Sequence, residues 1–220
     1  MNFPYIYEPM TAATDLLIAA VSLYAFLRLK RRWTKPNLSE CWYLMFFLLM
    51  AVSTTFGAFL NHAFAYVFPP GNGNFLPNWL SNVLAVSCYA MALIERADSV
   101  RRLPPRKALA IAVLAESVAI MVLTLWKRDF LFAEIHIAVI LYVFSLPLQI
   151  RLWRDGYQRE NVIAIVATAV MSLIPVVLIG KWHIGNWLID FDISHILLAT
   201  AMYLYYRAGL LWRVPNCSVA

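Results

Sequence analysis

"WLIDFDISHILLATAMYLYYRAGLLWR", residues 187–213, is an apolar run long enough to cross a bilayer, yet it opens with Asp190, Asp192 and His195. A charge placed within lipid costs several kcal/mol. A segment of this kind belongs in a bundle, where facing helices give its polar groups partners. The rest of the chain supplies such helices. Runs of roughly 18 to 25 apolar residues, enough to cross a hydrocarbon core of about 30 Å, recur along the sequence. They lie near 10–29, 41–67, 78–96, 108–126, 130–150, 161–180 and 188–208. The joining segments are short and rich in charge, proline or glycine, so residues 1–220 read as a single all-α domain, an integral membrane bundle of seven transmembrane helices.

Composition agrees. Of 220 residues, 62% are hydrophobic and only 14% charged, with a mean hydropathy of +0.68, too apolar for a soluble domain of this length. The net charge of +6 is a topology signal. Fifteen lysines and arginines fall on one side of the expected spans, and only Lys127, Arg128 and Lys181 fall on the other. The positive-inside rule then puts the N-terminus outside and the C-terminus in the cytoplasm of a multi-pass protein, in a bacterial inner membrane or a eukaryotic endomembrane. Nucleic acid drops out as a partner, and membrane lipid takes its place. "MNFPYIYEPM", residues 1–10, has no basic region or cleavage site of a signal peptide. Cys41, Cys88 and Cys217 are not placed for a disulfide on an oxidising face. Tryptophans near the span ends, from Trp33 to Trp212, read as an aromatic belt.

Depth sorts the ionisable groups. His62, His136, His183 and His195 all fall toward the outer side, with Glu8, Asp15, Asp129, Glu134, Asp190 and Asp192. Imidazoles and carboxylates crowded into one leaflet with few bases are what a divalent metal site requires, since the ion supplies the missing positive charge. Glu8, Thr11 and Asp15 stand at i, i+3 and i+7, one polar stripe on the first helix. Asp192 and His195 stand at i, i+3 and can aim at one centre, at the depth where His62 arrives from the second helix. In a regular second helix Ser53 points away from the His62 face, and no serine-hydrolase elbow occurs. Glu116 stands alone in the middle of the fourth span, where hydrogen bonding to a serine or threonine accounts for it better than a proton relay does.

The acidic start "YEPMTAATD" (7–15), a histidine on the second helix in "STTFGAFLNHAFAY" (53–66) and the Asp/His motif opening the seventh resemble the alkaline ceramidases. These hydrolases share a superfamily with the progestin and adiponectin receptors. The resemblance implies a zinc ion held by one histidine of helix 2 and two of helix 7, activating water to cleave an amide. It would assign His62 and His195 as ligands. The other helix 7 position is Phe191, so Asp192, His183 or His136 would supply the third ligand, with Asp192 preferred. The superfamily's helix 2 serine corresponds to Ala58, and Asn78 and Asn82 stand where its aspartate is expected. Only Glu8 matches its calcium site.

The resulting expectation is a membrane-embedded zinc hydrolase of a lipid amide or ester, acting from the outer leaflet. Its ligands would be His62, His195 and Asp192, with Asp192 and Asp15 in the catalytic machinery. The alternative is a non-enzymatic seven-helix sensor, or a small-solute or ion carrier, with a polar outer site.

Overall fold

The computed structural model describes residues 6–67, 75–184 and 189–212. Trp187, Cys217 and Arg213 of the sequence reading lie outside these. Among the described residues the fold is all-helical, with seven helices: α1 Pro9–Arg32, α2 Leu38–Ala63, α3 Leu76–Val100, α4 Arg106–Lys127, α5 Leu131–Arg154, α6 Gln158–Gly180 and α7 Asp190–Leu211. Five of them, α1, α2, α4, α5 and α6, are long and apolar enough to cross a membrane. Both α3 and α7 carry ionisable residues near their ends, and α3 has more than half its residues buried.

Local signals set the boundaries. Pro9 opens α1, where a missing N–H is harmless, and Lys30, Arg31 and Arg32 close it against the negative end of the helix dipole. A capping box starts α2: Glu40 N–H donates to Asn37 Oδ1 and Asn37 N–H to Glu40 Oε2, each at 2.9 Å. Two helices depart from regular winding. Residues Gly57–Ala63 of α2 and Val139–Ser145 of α5 form π-helical segments. In α5 the wide turn directly precedes Pro147, whose ring would clash with the preceding turn of a regular helix.

Sequence neighbours pack side by side, and α7 lies against both α6 and α1, so the last helix closes the ring. The Leu131–Ala138 part of α5 packs on α3 and α4, whereas its Leu146–Arg154 part packs on α3 and α6. At the centre Tyr43, Phe46, Phe47, Tyr89 and Tyr205 form a continuous set of ring contacts. Tyr43 Oη donates to the Tyr205 carbonyl at 2.7 Å, and Gln149 Nε2 donates to Tyr89 Oη at 2.7 Å. Toward the ends of α3 and α6, the buried Arg96 pairs with Glu160 at 2.7 Å and lies against the rings of Tyr157 and Trp212.

Gly209 lets α7 approach this centre: a Cβ there would stand 2.8 Å from Tyr43 Cε1 and 3.1 Å from Leu29 Cδ1. Neither neighbour can yield, because both are fully buried. Gly209→Val is expected to lower unfolding free energy by about 1–3 kcal/mol through overpacking, visible as a reduced Tm in detergent.

Candidate metal centre

Three side chains from three helices converge: Asp15 of α1, His62 of α2 and His195 of α7. One ligand atom from each can be chosen so that all lie within 4.8 Å of one another. Asp15 Oδ2 is 3.6 Å from His62 Nε2, and Asp15 Oδ1 is 3.6 Å from His195 Nε2. Ligands around a tetrahedral ion with bonds of about 2.0–2.1 Å stand roughly 3.3 Å apart, closer than the 4.8 Å that bounds this set, so the three side chains would have to draw inward to hold zinc.

Hydrogen bonds on the far sides of both rings decide where their protons lie. His62 Nδ1 is 2.6 Å from Glu8 Oε2, an acceptor when ionised, so Nδ1 carries the hydrogen. Thr14 Oγ1 spends its own hydrogen on the Thr11 carbonyl at 3.0 Å and can then accept from His195 Nδ1 at 3.1 Å. Both Nε2 atoms therefore turn lone pairs toward the carboxylate of Asp15, which is itself an acceptor. Three such groups facing each other in a buried pocket repel unless a cation or a proton lies between them. A carboxylate or hydroxyl behind each ligating histidine is also the usual support of a metal site.

The backbone puts these groups in place. Glu8 N–H donates to the His62 carbonyl at 3.1 Å and Tyr7 N–H to the Ala63 carbonyl at 3.2 Å, tying the start of α1 to the end of α2. The π segment of α2 changes the phase at which His62 leaves the helix. Gly57 opens that segment and makes room for the carboxylate: a Cβ on Gly57 would lie 2.5 Å from Asp15 Oδ2 and 3.1 Å from Asn78 Nδ2.

Other residues singled out in the sequence fall elsewhere. Asp192 is buried but stands outside the cluster. Its Oδ2 accepts from the Ile189 backbone N–H at 3.1 Å, so it caps its own helix from the third position. Asp15, expected in the catalytic machinery, is the carboxylate that meets the two histidines. His183 is exposed in the loop after α6. His136 is fully buried against a different group: Nδ1 lies 2.6 Å from Glu116 Oε2, and Nε2 lies 3.1 Å from both Ser87 Oγ and the Val83 carbonyl. Glu116 is thus held by an imidazole, where a hydroxyl was expected. The second helix is not regular through His62, so the regular-helix placement of Ser53 does not apply. Ser53 is fully buried and its Oγ lies 2.6 Å from Asn78 Oδ1 and 2.9 Å from the Asn78 carbonyl. That bond leaves the Asn78 amide hydrogens for the cavity that Asn78 lines.

This cavity has a volume of about 870 Å³ and is bounded by α2, α3, α5, α6 and α7, with Asp15 reaching it from α1. Asp15, His62, His195, Asn61 and Asn78 form its polar end. Met50, Tyr89, Leu198, Met202 and Tyr205 line its apolar remainder. Sequence comparison completes the picture. The chain belongs to the family of unknown function DUF6962. The family's profile matches residues 10–214, and so takes in all three converging side chains. No curated protein matches the chain.

Membership in DUF6962 assigns no chemistry, so the cluster must be tested directly. Asp15→Asn is expected to abolish high-affinity zinc binding, while Asp192→Asn changes affinity little. Gly57→Ala, which alters no ligand, is expected to weaken binding by about 10–100-fold, like loss of an orienting group. Competitive zinc titration ranks the variants, and unchanged helical circular dichroism identifies those that are folded.

Proposed function

We propose that this DUF6962 protein spans the membrane seven times, N-terminus outside, and is a metal-dependent hydrolase acting on a lipid amide or ester from the outer leaflet. The apolar lengths of five helices and the one-sided distribution of bases support the topology. The observation that carries the chemistry is the set of three acceptor groups at the polar end of a largely apolar cavity. Resemblance to the alkaline ceramidases points the same way, with Asp15 in place of the histidine that Phe191 does not provide.

In this reading His62, His195 and Asp15 would hold zinc. Zinc there would supply Lewis acidity, bringing the pKa of a water to about 7 and polarising the scissile carbonyl. Glu8 and Thr14 fix the two rings. Asn78, oriented by Ser53, and Asn61 offer amide donors to the polar part of a substrate. Met50, Leu198 and Met202 would accompany its hydrocarbon chain. Access from the bilayer fits the gap between the outer parts of α5 and α6, where Ile135, Tyr142 and Ile179 are exposed and line the same cavity. The Tyr142 to Ser172 hydrogen bond bounds that gap from below.

A second reading, a non-enzymatic sensor or proton-linked carrier, is favoured by one observation, the His136–Glu116 pair. The imidazole is fully buried, and its Nδ1 lies 2.6 Å from Glu116 Oε2, so two groups able to share a proton meet within the bundle, apart from the metal centre.

Protein purified without chelators is expected to carry about one zinc per chain. Hydrolysis of at least one member of a panel of lipid amides and esters should be lost on chelation and restored by zinc. Protons compete for both imidazoles and for the carboxylate, so zinc affinity should fall as pH is lowered below neutral. Absence of stoichiometric metal would overturn the hydrolase reading, and a zinc-loaded protein inert toward every lipid would select the second one.

A further inference from the structure

At the opposite end of the bundle the α3–α4 loop and the end of α5 enclose a groove of about 930 Å³. Its polar lining consists of Arg101, Arg102, Arg151, Arg154 and Asp155, and its wall of Pro104, Leu146, Pro147 and Ile150. Four guanidinium groups against one carboxylate leave three net positive charges in one concavity. Asp155 holds two of the four in place, with Arg101 Nη1 and Arg151 Nε each 3.7 Å from its oxygens. Arg151 Nη2 also donates to the Arg101 carbonyl at 3.3 Å, fastening the loop to α5. The nearby acids do not neutralise the groove: Glu95 and Asp98 lie beside Arg106, at 2.8 and 3.3 Å.

We infer that this groove is a binding site for the phosphate headgroup of an anionic phospholipid in the adjoining leaflet. The basic residues are all arginine, whose planar fork matches phosphate oxygens in a way a lysine does not. The positive-inside rule accounts for their sign but not for their convergence around an apolar wall. That wall fits the hydrocarbon of a lipid rather than a free anion: Leu146, Pro147 and Ile150 continue the lipid-facing length of α5 beneath the arginines. Basic pockets between helices at this level of a membrane protein are suited to anionic headgroups, each arginine contributing about 1 kcal/mol. The site is separate from the metal centre and stands whether or not the chain is a hydrolase.

The test uses the full chain in mild detergent, titrated with phosphatidylglycerol, phosphatidylcholine or inorganic phosphate. Bound lipid is read by native mass spectrometry and Tm by thermal unfolding. Arg102→Gln/Arg154→Gln removes the two arginines that do not contact Asp155, and Arg31→Gln/Arg32→Gln removes the same charge at the end of α1. Phosphatidylglycerol should bind and raise Tm, with about thirtyfold lower affinity in the groove variant and less than about threefold change in the α1 variant. If the groove variant does not fold, Arg102→Gln alone should show about a fivefold loss. Equal losses in both double variants, or phosphatidylcholine binding as well as phosphatidylglycerol, would overturn the site. Stabilisation by inorganic phosphate equal to that by phosphatidylglycerol would overturn its assignment to a lipid.

Discussion

Two imidazole lone pairs and a carboxylate cannot be aimed at one another in a weakly polar interior without something positive between them. Much of the end of the bundle that holds Asp15, His62 and His195 follows from that constraint. Glu8 and Thr14 set which nitrogen of each ring carries hydrogen, and so turn the bare nitrogens inward. Gly57 gives up its side chain to the carboxylate, and the backbone bonds between residues 7–8 and 62–63 hold the two contributing helices at the right depth. The arrangement is over-determined, as a site built from separate helices has to be if its ligands are to stay within a fraction of an ångström.

The lower half is held by different means. Rings of Tyr43, Tyr89 and Tyr205 pack edge and face while their hydroxyls bond to groups on neighbouring helices. Between helices in lipid, close packing and hydrogen bonds replace the hydrophobic effect as the source of association. Gly209 belongs to this scheme because it lets backbone and ring meet directly. The apolar cavity sits between the two regimes, with a polar site at one end and a close-packed aromatic floor at the other.

Much of this was legible in the sequence, and the rest was hidden for specific reasons. Apolar run lengths located all seven helices to within a few residues, because hydrophobicity is local information. Reading depth from span position put His62, His195 and Asp15 toward the same end of the bundle, where they do converge. What failed to appear was anything dependent on the gap between helices. Asp192 was preferred as a ligand because Phe191 stands where a histidine was expected, but a helix-start carboxylate is readily taken by its own backbone N–H, as that of Asp192 is. Only the void at Gly57 reveals where the other acid goes. Ser53 was placed with a regular helical period that the wide turn of α2 interrupts, and Glu116 gave no sign that its partner was an imidazole on the next helix.

The wide turns in α2 and α5 make the cavity sensitive to chain length as well as to composition. A π segment holds one residue more than a regular helix of the same rise. Removal of a single residue between 57 and 63 would let the helix rewind into regular form and swing His62 to another bearing, with Asp15, His62 and His195 still present in the sequence. Related chains that differ by one residue in this segment, or in 139–145, would therefore differ in the shape of the cavity even where their chemistry-bearing residues are the same. In this fold the count of residues between Gly57 and His62 is itself a structural specification.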